Sequence, residues 1–134
     1  MSRLVDELKR EHQALVAILD DIRSVGIGTK EGLAKLNAAK SSFLAHLRKE
    51  DEQLYPPLRT AATTQAALHK VLDQFAKDMD DVSKAALEFF EKYAQGGNGL
   101  EFARDFGKLF AALGARIRRE ETKLYQEFEN LEID

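Results

Sequence analysis

The residue spacing with the clearest chemical meaning lies in a segment that occurs twice in this sequence. In the first copy His46 stands four residues before Glu50, and in the second Arg116 stands four residues before Glu120. Side chains at this spacing share one face of a helix, where an imidazole and a carboxylate can bind the same metal ion. A guanidinium stays protonated and cannot be a metal ligand. The repeat therefore indicates a metal site in which one expected ligand has been replaced.

Three clusters of helix-breaking residues divide the chain into four segments. They are residues 26–29 and 96–99, which are rich in Gly, and Pro56-Pro57 with the Ala- and Thr-rich stretch that follows. Within each segment apolar residues recur at steps of three and four, the period of an α-helix. Because the residue before a proline leaves the helical region, we predict that the second helix ends at Pro56.

Four long helices joined by short turns predict an all-α, antiparallel up-down-up-down four-helix bundle. Asn98 followed by Glu101 is typical of a capping box at the start of the fourth helix. The repeated segments, 45–55 and 115–125, would then lie on helices that run in the same direction and face the centre of the bundle. We take residues 1–134 as a single domain.

Several polar residues lie on the apolar stripes that should face the bundle core. They are His12 on the first helix, His46 and Glu50 on the second, and Arg116 and Glu120 on the fourth. Taken singly, each has an ordinary explanation, such as a hydrogen-bonded core histidine or a solvated ion pair on a helix face. Burying such groups unpaired is costly, so a set from three helices is expected to contact one another or a metal ion.

These residues resemble the motifs of the hemerythrin-like (HHE) cation-binding domain family over essentially the whole chain. The matching segments are Lys9-Arg10-Glu11-His12, His46-Leu47-Arg48-Lys49-Glu50-Asp51 with Leu54-Tyr55-Pro56, and Arg116-Ile117-Arg118-Arg119-Glu120-Glu121 with Leu124-Tyr125. The resemblance implies a four-helix bundle holding a non-haem di-iron site of His and carboxylate ligands. It also implies that the metal ligands include, from the first, second and fourth helices, His12, His46, Glu50 and Glu120.

The sequence departs from the family pattern at two ligand positions. Arg116 stands where the family has a His, and the third helix offers only His69. Counting back from the glycine-rich turn places Phe75–Met79 at the level of Arg116 and Glu120, about 10 Å beyond His69. Counting forward from Pro57 places His69 at that level instead. His69 is therefore an open candidate for a metal ligand.

Charge balance defines three states for the site. Two metal cations beside the Arg116 guanidinium would be strongly repelled at an interior dielectric, whereas one divalent cation is tolerable if Arg116 turns aside. Without a metal, Arg116 would pair with Glu50 or Glu120 and form a polar core. The sequence leaves open a single or weakened metal site, a metal-free core and a full di-iron site. The ligand types suit iron, manganese or zinc, and the family resemblance implies iron.

We expect a protein that binds or senses a metal ion, with dioxygen or another small diatomic ligand as a further partner, rather than an enzyme. The alternative is a non-haem iron redox enzyme acting on peroxide or nitrogen oxides, since the missing His could leave an open coordination position. A histidine phosphotransfer domain is a third interpretation of His46. That family needs a small residue where this chain has Glu50, which would repel a phosphoryl group.

Composition excludes several other classes of function. The chain has 134 residues, a net charge of -3 and no Cys, so disulfides, Cys-ligated zinc, iron–sulfur clusters and thiol catalysis are excluded. Nearly balanced charges give no basis for nucleic-acid binding, and no apolar run approaches the roughly 20 residues of a membrane-spanning helix. The N-terminus does not resemble a signal peptide, so we expect a cytoplasmic protein. The sequence carries no sign of an oligomeric state.

Overall fold

The computed structural model describes residues 2–97 and 99–131, and the regular structure within them is helical. The α-helices are α1 (Arg3–Val25), α2 (Lys30–Lys49), α3 (Tyr55–Ala62), α4 (Ala66–Lys92), α5 (Gly99–Arg119) and α6 (Tyr125–Asn130). Two π-helical turns join neighbouring α-helices without a break, π1 (Glu50–Leu54) between α2 and α3 and π2 (Glu120–Leu124) between α5 and α6. None of the helices in the described ranges is long and apolar enough to cross a membrane.

These elements form four bundle helices, because α2 continues through π1 into α3 and α5 continues through π2 into α6. We call them the first (α1), second (α2–α3), third (α4) and fourth (α5–α6) bundle helices. The first packs on the second, the second on the third and the third on the fourth, and the fourth closes the bundle against the first. Short connections make consecutive bundle helices antiparallel. The predicted all-α, up-down-up-down four-helix bundle is confirmed.

The turn between α1 and α2 is built by local hydrogen bonds and one close glycine contact. The N–H of Gly26 donates to the Ile22 carbonyl, and a φ of 71°, which favours glycine, reverses the chain there. Thr29 then caps α2, because its side-chain oxygen accepts the Gly32 N–H at 3.0 Å. Gly32 lies directly against the Gly26 carbonyl, which leaves no room for a side chain at this position.

The prediction that the second helix ends at Pro56 is wrong. The helix passes through π1 and ends at Ala62, and the chain turns at residues 63–65. Proline lacks an N–H and is tolerated in the first turn of a helix, where no intrahelical partner is needed. Pro56 lies in such a turn, at the start of α3, because π1 has just shifted the hydrogen-bond register. The predicted cap at Asn98 lies outside the described residues.

The apolar core consists of two clusters on either side of a buried polar layer. The cluster near the α1–α2 turn includes Leu19, Phe43, Phe89 and Phe106. The cluster at the other end includes Leu8, Leu58, Leu72 and Phe128. The polar layer between them is formed by the five residues predicted on the inward stripes, His12, His46, Glu50, Arg116 and Glu120. The predicted inward direction of these polar side chains is therefore confirmed.

Replacing Gly32 by Ala should destabilise the protein, because the added Cβ would collide with the backbone carbonyl of Gly26. We expect the free energy of unfolding to fall by about 1–3 kcal/mol, the usual cost of overpacking, as measured by urea denaturation. Gly107→Ala is the matched control, since this exposed helical glycine has nothing within 4 Å of a new Cβ. That change should raise the free energy of unfolding by about 0.5–1 kcal/mol. Equal effects at the two positions would contradict the close contact in the turn.

Candidate metal centre

Four buried side chains converge in the polar layer, and we call them the ligand cluster. They are His12 of α1, His46 of α2, Glu50 of π1 and Glu120 of π2. Even the most accessible of them, His46, has only 6% of its surface exposed. One nitrogen or oxygen atom from each residue lies within 4.8 Å of the corresponding atoms of the other three. The structure thus brings together the four residues on which the sequence interpretation rests.

Both carboxylates of the ligand cluster are placed by π-helical turns. Glu50 and Glu120 begin π1 and π2, and each turn closes when the N–H of Tyr55 or Tyr125 donates to the glutamate carbonyl. The extra residue in the turn rotates the helix face, so that a leucine and the tyrosine after it are both buried. The stripe pattern did not predict these turns. The signal for them in the sequence is the repeated Leu-Tyr pair. Adjacent residues of a regular helix point about 100° apart, so two large adjacent residues that both face the core indicate an irregular turn.

Ring nitrogens and carboxylate oxygens face one another inside the polar layer. His12 Nε2 lies 3.0 Å from Glu120 Oε1. His46 Nε2 lies 3.4 Å from Glu50 Oε2 and 4.0 Å from Glu120 Oε1. Tyr125 reaches in from α6, where its hydroxyl donates to Glu50 Oε2 at 2.8 Å and lies 3.2 Å from His12 Nε2. All four members of the cluster therefore point at one small volume.

Two further glutamates hold the outer nitrogens of the histidine rings. His12 Nδ1 donates to Glu121 Oε2 and His46 Nδ1 donates to Glu11 Oε1, each at 2.8 Å. Because a carboxylate only accepts, each contact places a hydrogen on Nδ1. In the neutral ring the lone pair is then on the inward Nε2, which is the arrangement of a metal-binding histidine with an outer carboxylate. Lys49 fixes Glu11 in turn by donating to its Oε2 at 2.8 Å.

Glu11, Glu121 and Tyr125 were not among the predicted site residues. Each lies inside a segment that carries the family resemblance, and Glu11 and Glu121 are sequence neighbours of cluster residues. A helical neighbour points away from the cluster residue beside it, so spacing along one helix gives no reason to include it. Its partner is a histidine on another helix. Only the packing between helices reveals these contacts.

Arg116 lies in the same layer with 3% of its surface exposed. One terminal nitrogen donates to the Phe75 backbone carbonyl at 3.1 Å, and the other donates to the Tyr55 hydroxyl and to Glu120 Oε2, each at 3.4 Å. The guanidinium also lies over the Phe75 ring, 5.0 Å from its centre. Of the two pairings expected for Arg116, the described residues form the one with Glu120 and not the one with Glu50.

The structure does not bring His69 into the ligand cluster. Its side chain is 63% exposed near the start of α4, where Nδ1 lies 3.3 Å from Asp73 Oδ2. Phe75, later in α4, lies beside Arg116 instead. The count that began at Pro57 fails because the second bundle helix runs on past the prolines to the end of α3, which shifts α4 along the bundle.

Burial and neighbouring charges set the protonation of the cluster. Burial opposes a charge on His46, but Glu120 and Glu50 outweigh it and raise the pKa of the imidazole to about 10. Burial and the charge of Glu120 raise the pKa of the Glu50 carboxyl to about 7. Burial also opposes ionisation of Glu120, yet the two histidines and Arg116 hold its pKa well below the usual range. Glu120 is therefore the firmly ionised carboxylate of the pair.

The ligand cluster could hold a metal ion. His46 Nε2 and Glu50 Oε1 are buried without a hydrogen-bond partner among the described residues, and such atoms are rare in folded proteins. Ligand atoms held about 2.1 Å from one ion lie roughly 3–4 Å apart, so the cluster needs only a small contraction to close around an ion. Two imidazoles and two carboxylates suit iron, manganese or zinc. Arg116 and the Phe75 ring occupy the adjacent part of the layer.

A cavity of about 20 Å³ adjoins the ligand cluster. His12, His46, Arg116 and Glu120 are among the residues around it, but the surface that faces the cavity is apolar. A space of this size accommodates about one water-sized molecule. Any ligand that reaches the cluster from this side must therefore be small.

A family model described as the hemerythrin HHE cation-binding domain matches residues 3–128. The match covers nearly the whole chain and includes every member of the ligand cluster. No match to this chain is found among curated proteins or among solved structures. The family match and the geometry of the cluster agree on a cation-binding bundle.

Removing the Glu120 carboxylate should destabilise the metal-free protein, because Arg116 would keep its buried charge without a counter-ion. We expect Glu120→Ala to lower the free energy of unfolding by about 3–5 kcal/mol, as measured by urea denaturation with a chelator present. Glu88→Ala, at an exposed position of α4, is the control and should change it by less than about 0.5 kcal/mol. A Glu120 variant as stable as this control would mean that Arg116 finds water or another partner.

Proposed function

This chain belongs to the hemerythrin HHE cation-binding domain family, and we propose that its ligand cluster binds a single iron ion. The observation that carries this proposal is a pair of buried atoms, His46 Nε2 and Glu50 Oε1, that find no hydrogen-bond partner among the described residues. A metal ion at the centre of the cluster would satisfy both atoms, together with His12 Nε2 and an oxygen of Glu120. Left unpaired, each atom costs about 1–3 kcal/mol in lost solvation.

Arg116 limits the cluster to one ion. The guanidinium is fixed by contacts with Phe75, Tyr55 and Glu120, so its positive charge stays beside the cluster. Two unit charges about 4 Å apart repel by roughly 4 kcal/mol at an effective dielectric constant of 20, and a divalent ion doubles that. The carboxylates of Glu50 and Glu120 offset this repulsion for a first ion. A second ion would add positive charge, and in the part of the chain that the structure describes no further carboxylate is buried in the layer to balance it.

Iron is the metal that we propose for the cluster. Two imidazoles and two carboxylates form a mixed nitrogen and oxygen ligand set that suits ferrous iron and leaves coordination positions open. The same set accepts manganese or zinc, so metal analysis has to identify the ion. Ferrous iron would supply a redox-active centre to which a small diatomic molecule can bind.

Binding or sensing, rather than turnover, is the role that we propose for the centre. The cavity of about 20 Å³ has room for about one water-sized molecule, so no organic substrate fits it, and the further partner that we propose is as small as dioxygen or another diatomic molecule. Glu121 and Glu11 hold the two histidine rings from outside, and Tyr125 donates its hydroxyl hydrogen to Glu50. These contacts fix the ligands in one arrangement, which favours retention of a bound metal and its small ligand.

Protein reconstituted anaerobically with ferrous iron should bind about one ion per chain, as measured by elemental analysis after gel filtration. His46→Ala removes a ligand and should weaken iron binding at least about tenfold. His69→Ala is the matched control, because His69 is an exposed histidine outside the cluster. This control should leave both the stoichiometry and the affinity unchanged.

A different metal content, or catalytic activity of the iron-loaded protein, would contradict parts of this proposal. Two ions per chain would contradict the limit set by Arg116. Protein that holds no metal would establish the metal-free alternative, in which the Arg116–Glu120 pair is the polar core of the bundle. Catalytic consumption of peroxide or nitric oxide by the iron-loaded protein would favour the redox enzyme over the sensor.

Metal binding should release protons at neutral pH. His46, with a pKa of about 10, is protonated at pH 7, and its Nε2 must lose that proton to bind a metal. Glu50, with a pKa of about 7, gives up part of a second proton. We therefore expect about one to two protons per ion at pH 7, and an affinity that rises about tenfold or more per pH unit until His46 is neutral in the free protein.

Calorimetry in buffers of different ionisation enthalpy measures the number of protons released. The His69→Ala variant should release the same number, because His69 lies outside the cluster. Binding without proton release would mean that His46 is already neutral in the free protein.

A further inference from the structure

Lys49 lies at the centre of an ion-pair network that joins α1 to α2 beside the ligand cluster. Its Nζ lies 2.8 Å from Glu7 Oε2 and 2.8 Å from Glu11 Oε2. The other oxygen of Glu11 accepts the Nδ1 hydrogen of His46, also at 2.8 Å. Lys49 is thereby connected to a buried member of the ligand cluster through a single carboxylate.

The position of Glu11 depends on more than its hydrogen bond to His46. The Glu11 side chain is 34% exposed, so water competes with His46 for its carboxylate. Glu7 stands four residues earlier on the same face of α1, and like charges at this spacing repel each other. The ammonium of Lys49 contacts both carboxylates and offsets that repulsion. Without Lys49, Glu11 would be favoured to turn away from Glu7 and into water.

The other histidine of the cluster is held without a lysine. His12 Nδ1 contacts Glu121, and among the described residues no lysine or arginine forms an ion pair with that carboxylate. Arg119 stands at the position of Lys49 in the second copy of the repeat, but its Nε faces Asp78 of α4 at 3.7 Å. Within the described part of the chain, the lysine network therefore acts on His46 and not on His12.

We propose that Lys49 is a positioning residue of the metal centre, which through Glu11 keeps the His46 ring turned with Nε2 towards the ion. This inference rests on the metal binding proposed above, because the effect is exerted on a ligand of that ion. A ring held at Nδ1 has one orientation and one tautomer, so less conformational freedom is lost when the ion binds. Removal of Lys49 should therefore weaken metal binding, although all four ligands stay in place.

Lys49 also opposes metal binding electrostatically, and this effect is the smaller of the two. Its positive charge repels a cation and partly neutralises Glu11, whose full charge would make the His46 ring a stronger donor. The side chain of Lys49 is 25% exposed and that of Glu11 is 34% exposed, so water and salt screen both charges. Screening does not restore a lost orientation. The positioning effect therefore decides the sign of the change.

Zinc is the metal for the test, because it suits the ligand set and its diamagnetic complex can be studied by nuclear magnetic resonance. The zinc affinity is measured by competition with a chromophoric chelator. Lys49→Met should lower it about three- to tenfold, which is less than the loss of about 10–100-fold that follows removal of a direct partner of a ligand. Lys49→Arg keeps a cation for both carboxylates and should recover most of the affinity.

Lys35→Met is the matched control for the loss of a surface ion pair. The Lys35 side chain is 31% exposed and also links α2 to α1, since its Nζ lies 3.5 Å from Asp21 Oδ2. This contact lies near the α1–α2 turn, away from His46. The control should keep the zinc affinity of the wild type. Circular dichroism should show that both methionine variants are folded.

A double-mutant cycle tests whether Lys49 acts through Glu11. Glu11→Ala should weaken zinc binding about tenfold or more, because His46 loses its outer carboxylate. In that background Lys49→Met should change the affinity by less than about twofold, because the group that Lys49 positions is gone.

Proton exchange gives a second measurement that a general loss of stability would not reproduce. In the zinc-loaded protein, the His46 Nδ1 proton should exchange with water faster in Lys49→Met than in the wild type. The His12 Nδ1 proton is held by Glu121 and should exchange at an unchanged rate, so it is an internal control.

The results separate this inference from the metal site on which it rests. A wild type that binds neither zinc nor ferrous iron would overturn both. Zinc affinity in Lys49→Met that equals or exceeds that of the wild type would overturn the positioning role alone. The same role would be overturned by an equal loss of affinity in Lys35→Met, or by additive losses in the cycle with Glu11→Ala.

Discussion

The bundle depends on the burial of an ionic layer in the middle of its apolar core. A buried ion costs several kcal/mol even after relaxation, unless it finds a partner of opposite charge and further hydrogen bonds. Here those partners come from different bundle helices: His12 of the first meets Glu120 of the fourth, and Tyr125 of the fourth meets Glu50 of the second. Sliding one bundle helix along another would break these pairs. The layer therefore fixes the register of helices that apolar packing alone would hold less strictly.

Arg116 changes what the third bundle helix contributes to that layer. Instead of a side-chain ligand, α4 supplies Phe75. Its backbone carbonyl accepts a hydrogen bond from the guanidinium, and its ring packs against the guanidinium. A guanidinium donates in a fixed plane and cannot be neutralised. It donates to one oxygen of Glu120, Oε2, at 3.4 Å. The guanidinium does not reach Glu50, whose Oε1 is unpaired among the described residues, as is His46 Nε2.

The fold could be predicted from the sequence because helical periodicity and turn residues act locally. His12, Glu50 and Glu120 occupy buried stripe positions for the same reason. The error at Pro56 arose because a proline ends a regular helix, whereas a π-turn just before it lets the helix continue. The same error left open whether His69 is a metal ligand, because the position of α4 along the bundle depends on where the second bundle helix ends. The outer contacts of Glu11 could not be predicted, because they depend on packing between helices rather than on spacing within one.

The two copies of the repeat share one backbone geometry and differ in what their tyrosines face. Tyr125 donates to a carboxylate, Glu50, whereas the equivalent Tyr55 accepts from the Arg116 guanidinium. One tyrosine hydroxyl thus acts as a donor and the other as an acceptor, although both follow a π-turn that begins with a glutamate. The difference follows from a single position, because a histidine at 116 would present a ring nitrogen where Arg116 presents a fixed charge. The backbone of both copies therefore places a glutamate in the polar layer in the same way, and the fixed charge at position 116 opposes a cation placed beside it.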